Sequence, residues 1–226
     1  MTVCYAPCPV VFDLDGTLID SAPDIHAAVN AVLREVDVPP LTLDQVRGFI
    51  GGGVEVLWHR IIVATHLPET EQRPLMAAFM ARYSRSTALT RLYPGVLEAL
   101  GVLADRGHPL GLCTNKPMQP TRAVLAHFGI EDLFGTIIAG DSLPERKPHP
   151  APLRAALAAL GAEPDAPKGI FVGDSEIDAE TAEAVPVPLM LFTQGYRKTP
   201  VEQLPHFAAF DHFDALPALV EQAVTQ

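Results

Sequence analysis

Cysteine is scarce in this 226-residue chain: Cys4, Cys8 and Cys113 are the whole set. So odd and sparse a set yields neither a disulfide framework nor a cysteine–histidine metal cage, and it predicts a reducing compartment. Cys113 lies inside an apolar run and reads as a small buried residue, while Cys4 and Cys8 read as incidental thiols rather than a redox pair. Long hydrophobic runs are missing too. None approaches the roughly 20 residues that cross a bilayer, and the first twelve residues lack the basic start and apolar stretch of a signal peptide. Positive charge is the third shortage, with 16 Lys and Arg against 27 Asp and Glu and a net charge of −11. That balance argues against nucleic acid or an anionic membrane as partner. The expectation is a soluble cytoplasmic protein, monomer or homodimer, in which any site for an anion must be locally positive.

What is present suffices for a full core: 48% of residues are hydrophobic and only 19% charged. Five short apolar runs, at 9–12, 110–113, 136–139, 169–172 and 189–192, read as buried strands. Helical patterns lie between most of them. Residues 94–106 place Leu97, Leu100 and Leu103 on one face before Gly107, residues 120–128 end at Gly129, and residues 150–160 end at Gly161. Strands alternating with helices predict an α/β fold, a doubly wound parallel sheet covered on both faces. The interval between the first two strands is too long for one crossover and is helical throughout. Ser21 is placed to cap its first helix, Thr42 and Gln45 form a capping box for a second, Gly51-Gly52-Gly53 precedes a third over 54–66, and a fourth spans 74–85 with Leu75, Phe79 and Arg82 in register. The division expected is a core of residues 1–18 and 90–226 with a helical insertion at 19–89.

Polar groups gather at the strand ends, where parallel sheets present their chemistry. Asp13-Leu14-Asp15-Gly16-Thr17 follows the first run directly. Two carboxylates so close repel each other and need a cation or a shared proton. Nothing basic is near in sequence, so a hard divalent metal, Mg2+, is the expected counter-charge. The second run ends in Thr114-Asn115-Lys116 and the fourth in Gly173-Asp174-Ser175-Glu176-Ile177-Asp178, whose acids four apart can share a helix face. Between the third and fourth comes Arg146-Lys147-Pro148-His149-Pro150, where the prolines restrict the loop that carries Lys147. His149 reads as a loop residue beside the site.

Taken in order over essentially the whole chain, these four motifs resemble the haloacid dehalogenase superfamily of Asp-based phosphohydrolases. The stretch from Phe12 to Ile25, the triple glycine and Thr114-Asn115-Lys116-Pro117 are similar to phosphoglycolate phosphatases in particular. The resemblance implies that the insertion is a cap domain and that the substrate is a small anionic phosphomonoester, 2-phosphoglycolate. It implies Asp13 as nucleophile, Asp15 as general acid and base, and Thr114 and Lys147 as catalytic residues that also bind the phosphoryl group. Asn115 and the cap loop Gly51, Gly52 and Gly53 would complete substrate binding. Mg2+ would be held at Asp13, the Asp15 carbonyl and Asp174, with Asp178 alongside. One departure is Val185-Pro186, where the family has a small residue and glycine. The absence of lysine from residues 47–55 argues against a Schiff-base chemistry. A sugar-phosphate mutase or phosphatase stays open, as do, more distantly, a phosphoacceptor domain and an inactive scaffold.

Overall fold

The computed structural model describes residues 7–163 and 168–225; Cys4 lies outside them. Its elements in chain order are β1 (Val10–Phe12), β2 (Ile19–Asp20), α1 (Ala22–Glu35), α2 (Leu43–Arg47), α3 (Val54–Thr65), α4 (Gln72–Tyr83), β3 (Arg91–Leu92), α5 (Val96–Asp105), β4 (Leu110–Cys113) and α6 (Met118–Phe128). They continue with β5 (Thr136–Ile138), α7 (Ala151–Ala159), β6 (Ile170–Gly173), α8 (Glu176–Ala184), β7 (Leu189–Phe192), β8 (Ala208–Phe210) and α9 (Leu216–Val224).

Six strands form one parallel sheet in the order β5-β4-β1-β6-β7-β8. The five apolar runs all became strands. The sixth, β8, was not expected: its apolar stretch Phe207-Ala208-Ala209-Phe210 is half alanine, a residue with little strand preference. Side chains alternate across the sheet as the pleat requires. Val10 and Phe12 join a core with α5, α6 and α9, whereas Val11 and Phe171 face α7 and α8. Phe12 registers with Leu112 of β4 and with Val172 of β6. The polar residues that follow these three central strands are therefore brought side by side. They lie where the chain order turns about β1, the place at which open parallel sheets leave a crevice.

Two helix faces differ from expectation. In α5 the buried face is Val96, Ala99, Leu100 and Leu103, and Leu97 is exposed. Steps of three and four from Val96 describe that stripe, and Leu97 falls one residue off it. In α4 Tyr83, not Arg82, continues the stripe begun by Leu75 and Phe79, and Arg82 instead reaches out to pair with Glu35. The capping box of α2 is present, with Thr42 Oγ1 accepting from Gln45 N–H and Gln45 Oε1 from Thr42 N–H. Ser21 stands at the N-cap of α1 but makes no side-chain cap; its hydroxyl donates to Asp15. At the Val185-Pro186 departure, Val185 is buried at the C-cap of α8.

The four helices α1 to α4 bury their own cluster, centred on Trp58, Phe79 and Tyr83. The two chain segments that lead into and out of this unit pair as an antiparallel ribbon, Ile19 with Leu92 and Asp20 with Arg91. Asp24 of α1 fastens the ribbon. Its buried carboxylate accepts from Ser86 Oγ, Leu89 N–H, Thr90 N–H and Thr90 Oγ1 at 2.7–3.0 Å. Removing it would leave those donors facing a hole. Asp24→Ala is expected to cost on the order of 3 kcal/mol of stability, read as a lower urea midpoint by circular dichroism. An unchanged midpoint would mean that the outgoing segment does not depend on this carboxylate.

Candidate active site

Asp13 leaves β1 with its N–H bonded to Val172 O at 2.9 Å, so the neighbouring strand sets its position. Lys147, from the loop before α7, brings Nζ to 2.9 Å from Asp13 Oδ1 and 2.7 Å from Asp178 Oδ1. Asn115 fixes that lysine by its backbone, accepting from Lys147 N–H at 3.0 Å and donating to Lys147 O at 2.9 Å. Asp174 follows β6. Thr17 Oγ1 donates to its Oδ1 at 2.8 Å and Tyr196 N–H to its Oδ2 at 2.6 Å. The approach of Asp174 requires glycine at position 16: a Cβ there would lie 2.6 Å from Asp174 Oδ2, and its φ is +90°. Asp178, in the first turn of α8, accepts on Oδ2 from the N–H groups of Asp174 and Ser175 and from Ser175 Oγ.

Oxygens of Asp13, Asp174 and Asp178 lie within 4.8 Å of one another, all three residues buried. Such crowding disfavours the charged forms. Burial pushes the Asp13 carboxyl up to about 6 even though Lys147 opposes the shift. Burial, then Asp178 and Asp13, push Asp174 well above the usual carboxylate range. For Lys147 burial would lower the value, but Asp13 and Asp178 together outweigh it and raise it. The lysine is thus a permanent cation that offsets part of the acidic charge. Although close to it, Lys147 lies off the axis of a hydrogen bond, and Asp13 Oδ1 is buried with no hydrogen-bond partner. An orphaned carboxylate oxygen within an acidic cluster is the donor set that suits a hard divalent cation.

Asp15 turns away from that cluster. Its carboxylate accepts from Lys116 Nζ at 2.9 and 3.3 Å and from Ser21 Oγ. The tertiary fold thus supplies what is absent nearby in sequence: Asp13 and Asp15 each have a lysine. Lys116 also sits 4.5 Å from the centre of the Tyr83 ring and contacts its hydroxyl, tying the helical unit to the sheet. Asn115 Nδ2 makes a second tie, to Gly51 O at 3.0 Å, and Arg146 with Glu55 a third at 2.7 Å.

Between the helical unit and the sheet lies a cavity of about 40 Å3 bordered by Asp13, Asp15, Thr114, Asn115, Gly51 and Gly53. It adjoins a wider cleft of about 360 Å3 that reaches Asp174. Gly52 borders neither, and a Cβ on it would run into Val56 at 2.8 Å. Lys147 and Asp178 stand behind the cavity rather than in its lining. Sequence reasoning assigned no role to Lys116, Thr17 or Tyr196. The first two sit inside quoted motifs and were open to inspection, whereas Tyr196 carries no local signal.

The profile of the haloacid dehalogenase-like hydrolases matches residues 10–192. The chain belongs to this family. Its curated relatives include a phosphoglycolate phosphatase of Cereibacter sphaeroides (strain ATCC 17029 / ATH 2.4.9), 51% identical over 216 residues that cover 94% of this chain and 97% of that protein. Another, the phosphoglycolate phosphatase of Rhodobacter capsulatus, is 45% identical over 94% of this chain and 96% of its own. Among solved structures, that of a predicted phosphoglycolate phosphatase from Haemophilus somnus 129PT superposes with a TM-score of 0.88 at 32% identity, covering all of both chains.

For this hydrolase the raised carboxyls have a consequence for stability. A carboxyl whose folded value exceeds its unfolded one weakens the folded state as pH rises from the lower value through the higher. In chelator-treated protein at about pH 7.5, Asp174→Asn should therefore melt above the wild type, and the gap should narrow as the buffer is acidified. A variant that melts at or below the wild type across that range would show that Asp174 is not a source of unfavourable charge.

Proposed function

We propose that the protein is a Mg2+-dependent phosphomonoester hydrolase that works through an aspartyl-phosphate on Asp13, with 2-phosphoglycolate as substrate. The orphaned Asp13 oxygen, set between Lys147 and the Asp174 carboxylate at the sheet's carboxyl edge, carries the chemical part of this reading. The names of relatives at up to 51% identity support the substrate.

Hydrolysis of phosphate monoesters without a catalyst is slow enough to demand rate gains of up to about 10^21, so several effects must combine. An Asp13 oxygen attacks phosphorus and the ester P–O bond breaks, which divides the reaction in two. Asp15 gives its proton to the departing alkoxide oxygen and then takes one from the water that cleaves the acyl phosphate. Lys147 holds positive charge against Asp13 and the phosphoryl oxygens, and Thr114 Oγ1 with adjacent N–H groups supplies donors to them. Asn115 orients Lys147 through two backbone hydrogen bonds. Both Asp178 oxygens are engaged, one by Lys147 and the other by the start of α8, so its part is to position the lysine. Mg2+, held by Asp13, the Asp15 carbonyl and Asp174, would supply charge neutralisation at the nucleophile and phosphoryl group.

Residues 19–89 act as the cap over a core of 1–18 and 90–226, and the loop of Gly51, Gly52 and Gly53 closes on the substrate. Gly51 and Gly53 border the cavity, and Gly53 precedes α3, where unpaired N–H groups favour an anion. The partner is then a small anion, with neither nucleic acid nor membrane involved, and the working form is a cytoplasmic monomer or homodimer. No helix of the described residues is long and apolar enough to cross a membrane.

Asp13→Asn should abolish turnover while far-ultraviolet circular dichroism stays unchanged; activity above about a tenth of wild type would remove Asp13 as nucleophile. Excess EDTA should stop hydrolysis and Mg2+ restore it, and undiminished rates in chelator would refute the metal requirement. In a panel of phosphomonoesters, 2-phosphoglycolate should show the highest kcat/KM. A sugar phosphate ahead by more than about tenfold would replace the substrate while leaving the hydrolase reading intact.

A further inference from the structure

Lys116 is the one charged motif residue at the cavity to which the reaction above gives no task. Its ammonium is buried, 6% of the residue being exposed, yet it borders the cavity together with Asp15. It is the only basic side chain among the cavity's described lining residues. Lys147, the other buried cation of the site, is committed to Asp13 and Asp178 behind the phosphoryl position. The wall that the helical unit presents is apolar, with Ile25, Leu57 and Phe79 among its residues. A carboxylate brought against such a wall pays heavily unless a cation meets it.

The geometry points to Lys116 as the specificity-determining residue: its ammonium receives the second anionic group of the substrate, the carboxylate. This deepens, and rests on, the phosphoglycolate reading. Three features fit the task. Lys116 stands two residues after Thr114, on the turn that follows β4, and its N–H is bonded to Thr114 Oγ1 at 3.2 Å, so it moves with the phosphoryl-binding residue. Its Nζ already holds a carboxylate, that of Asp15, with contacts to both oxygens at 2.9 and 3.3 Å. The Tyr83 hydroxyl, in contact with Nζ, holds the ammonium from the cap side. A lysine so braced presents a point charge with three donors, and a substrate carboxylate can share it with Asp15 without displacing the side chain.

The competing account is that Lys116 only positions Asp15. The two differ in what they do to selectivity. Asp15 serves every phosphomonoester alike, so a loss transmitted through it is common to all substrates. A lost contact to the carboxylate affects only the substrate that has one.

The test compares 2-phosphoglycolate with ethyl phosphate, which keeps the two-carbon length but has no carboxylate. Wild type, Lys116→Met and Lys116→Arg are assayed with Mg2+ on both. In Lys116→Met the ratio of kcat/KM values, phosphoglycolate over ethyl phosphate, is expected to fall at least about tenfold, as befits a charged hydrogen bond, and to do so through KM for phosphoglycolate. Lys116→Arg should recover most of the ratio, because the charge returns. A smaller change in the methionine variant overturns the inference and leaves Lys116 as a positioning residue for Asp15. Should the methionine variant not fold, Lys116→Gln, which keeps a hydrogen-bond donor but no charge, is read in its place: a fall in the ratio of at least about tenfold supports the inference and an unchanged ratio overturns it. A wild type that shows no preference for phosphoglycolate over ethyl phosphate refutes the substrate reading itself, and the inference with it.

Discussion

The buried ammonium of Lys147 is the charge on which the catalytic edge of this sheet depends. Asp13, Asp174 and Asp178 crowd their oxygens within 4.8 Å in a buried place, an arrangement that burial and mutual repulsion both oppose. Lys147 touches two of the three and is held in turn by Asn115, which grips its backbone from the end of β4. Asp174, which it does not touch, is stabilised by Thr17 Oγ1 and Tyr196 N–H instead. One positive charge among three acids leaves the cluster short of cationic charge, and the orphaned Asp13 oxygen is where that shortage shows. The site thus keeps unfavourable electrostatics that a cation would relieve, a common exchange of stability for function.

The junction between the helical unit and the sheet is built from a second set of polar contacts. Tyr196 OH accepts from the N–H groups of Ser21 and Ala22 and donates to Asp20, while its own N–H holds Asp174. One residue therefore bonds both to the start of α1 and to the acidic cluster. Asp24 fastens the returning segment to the same helix. On the far side of the cavity, Lys116 with Tyr83 and Asn115 with Gly51 O span the gap. The position of the helical unit is consequently written in hydrogen bonds at the rim of the site, not in a shared apolar core: its cluster of Trp58, Phe79 and Tyr83 is separate from those that flank the sheet.

How much of this was legible in the chain depends on the range of the interaction. The strands at β1, β4, β5, β6 and β7 were readable because a buried parallel strand leaves an unbroken apolar run. β8 was not, since two of its three residues are alanines, which favour a strand weakly, and only Phe210 is buried. The stripe of α5 was misread at Leu97 because leucine spacing was followed where Val96 and Ala99 also counted. Asp13, Asp15, Thr114, Lys147, Asp174 and Asp178 stood out as polar groups directly behind or between apolar runs, and the fold brings them to one edge. Gly52 stood out equally, yet its neighbours Gly51 and Gly53 are the ones that border the cavity.

By itself the sequence determined the fold class and the inventory of reactive groups, because local apolar periodicity and motif order are properties of neighbouring residues. It could not determine the pairing of those groups. Nothing adjacent to Asp13 or Asp15 is basic, and the local inference was a divalent metal as their counter-charge. The tertiary structure also brings Lys116 to Asp15 from 101 residues away and Thr17 to Asp174 across 157. Which acid receives which cation, which oxygen is left without a partner, and which lysine borders the cavity were decided by how the strands order about β1, since only packing converts distant chain positions into contacts of 3 Å.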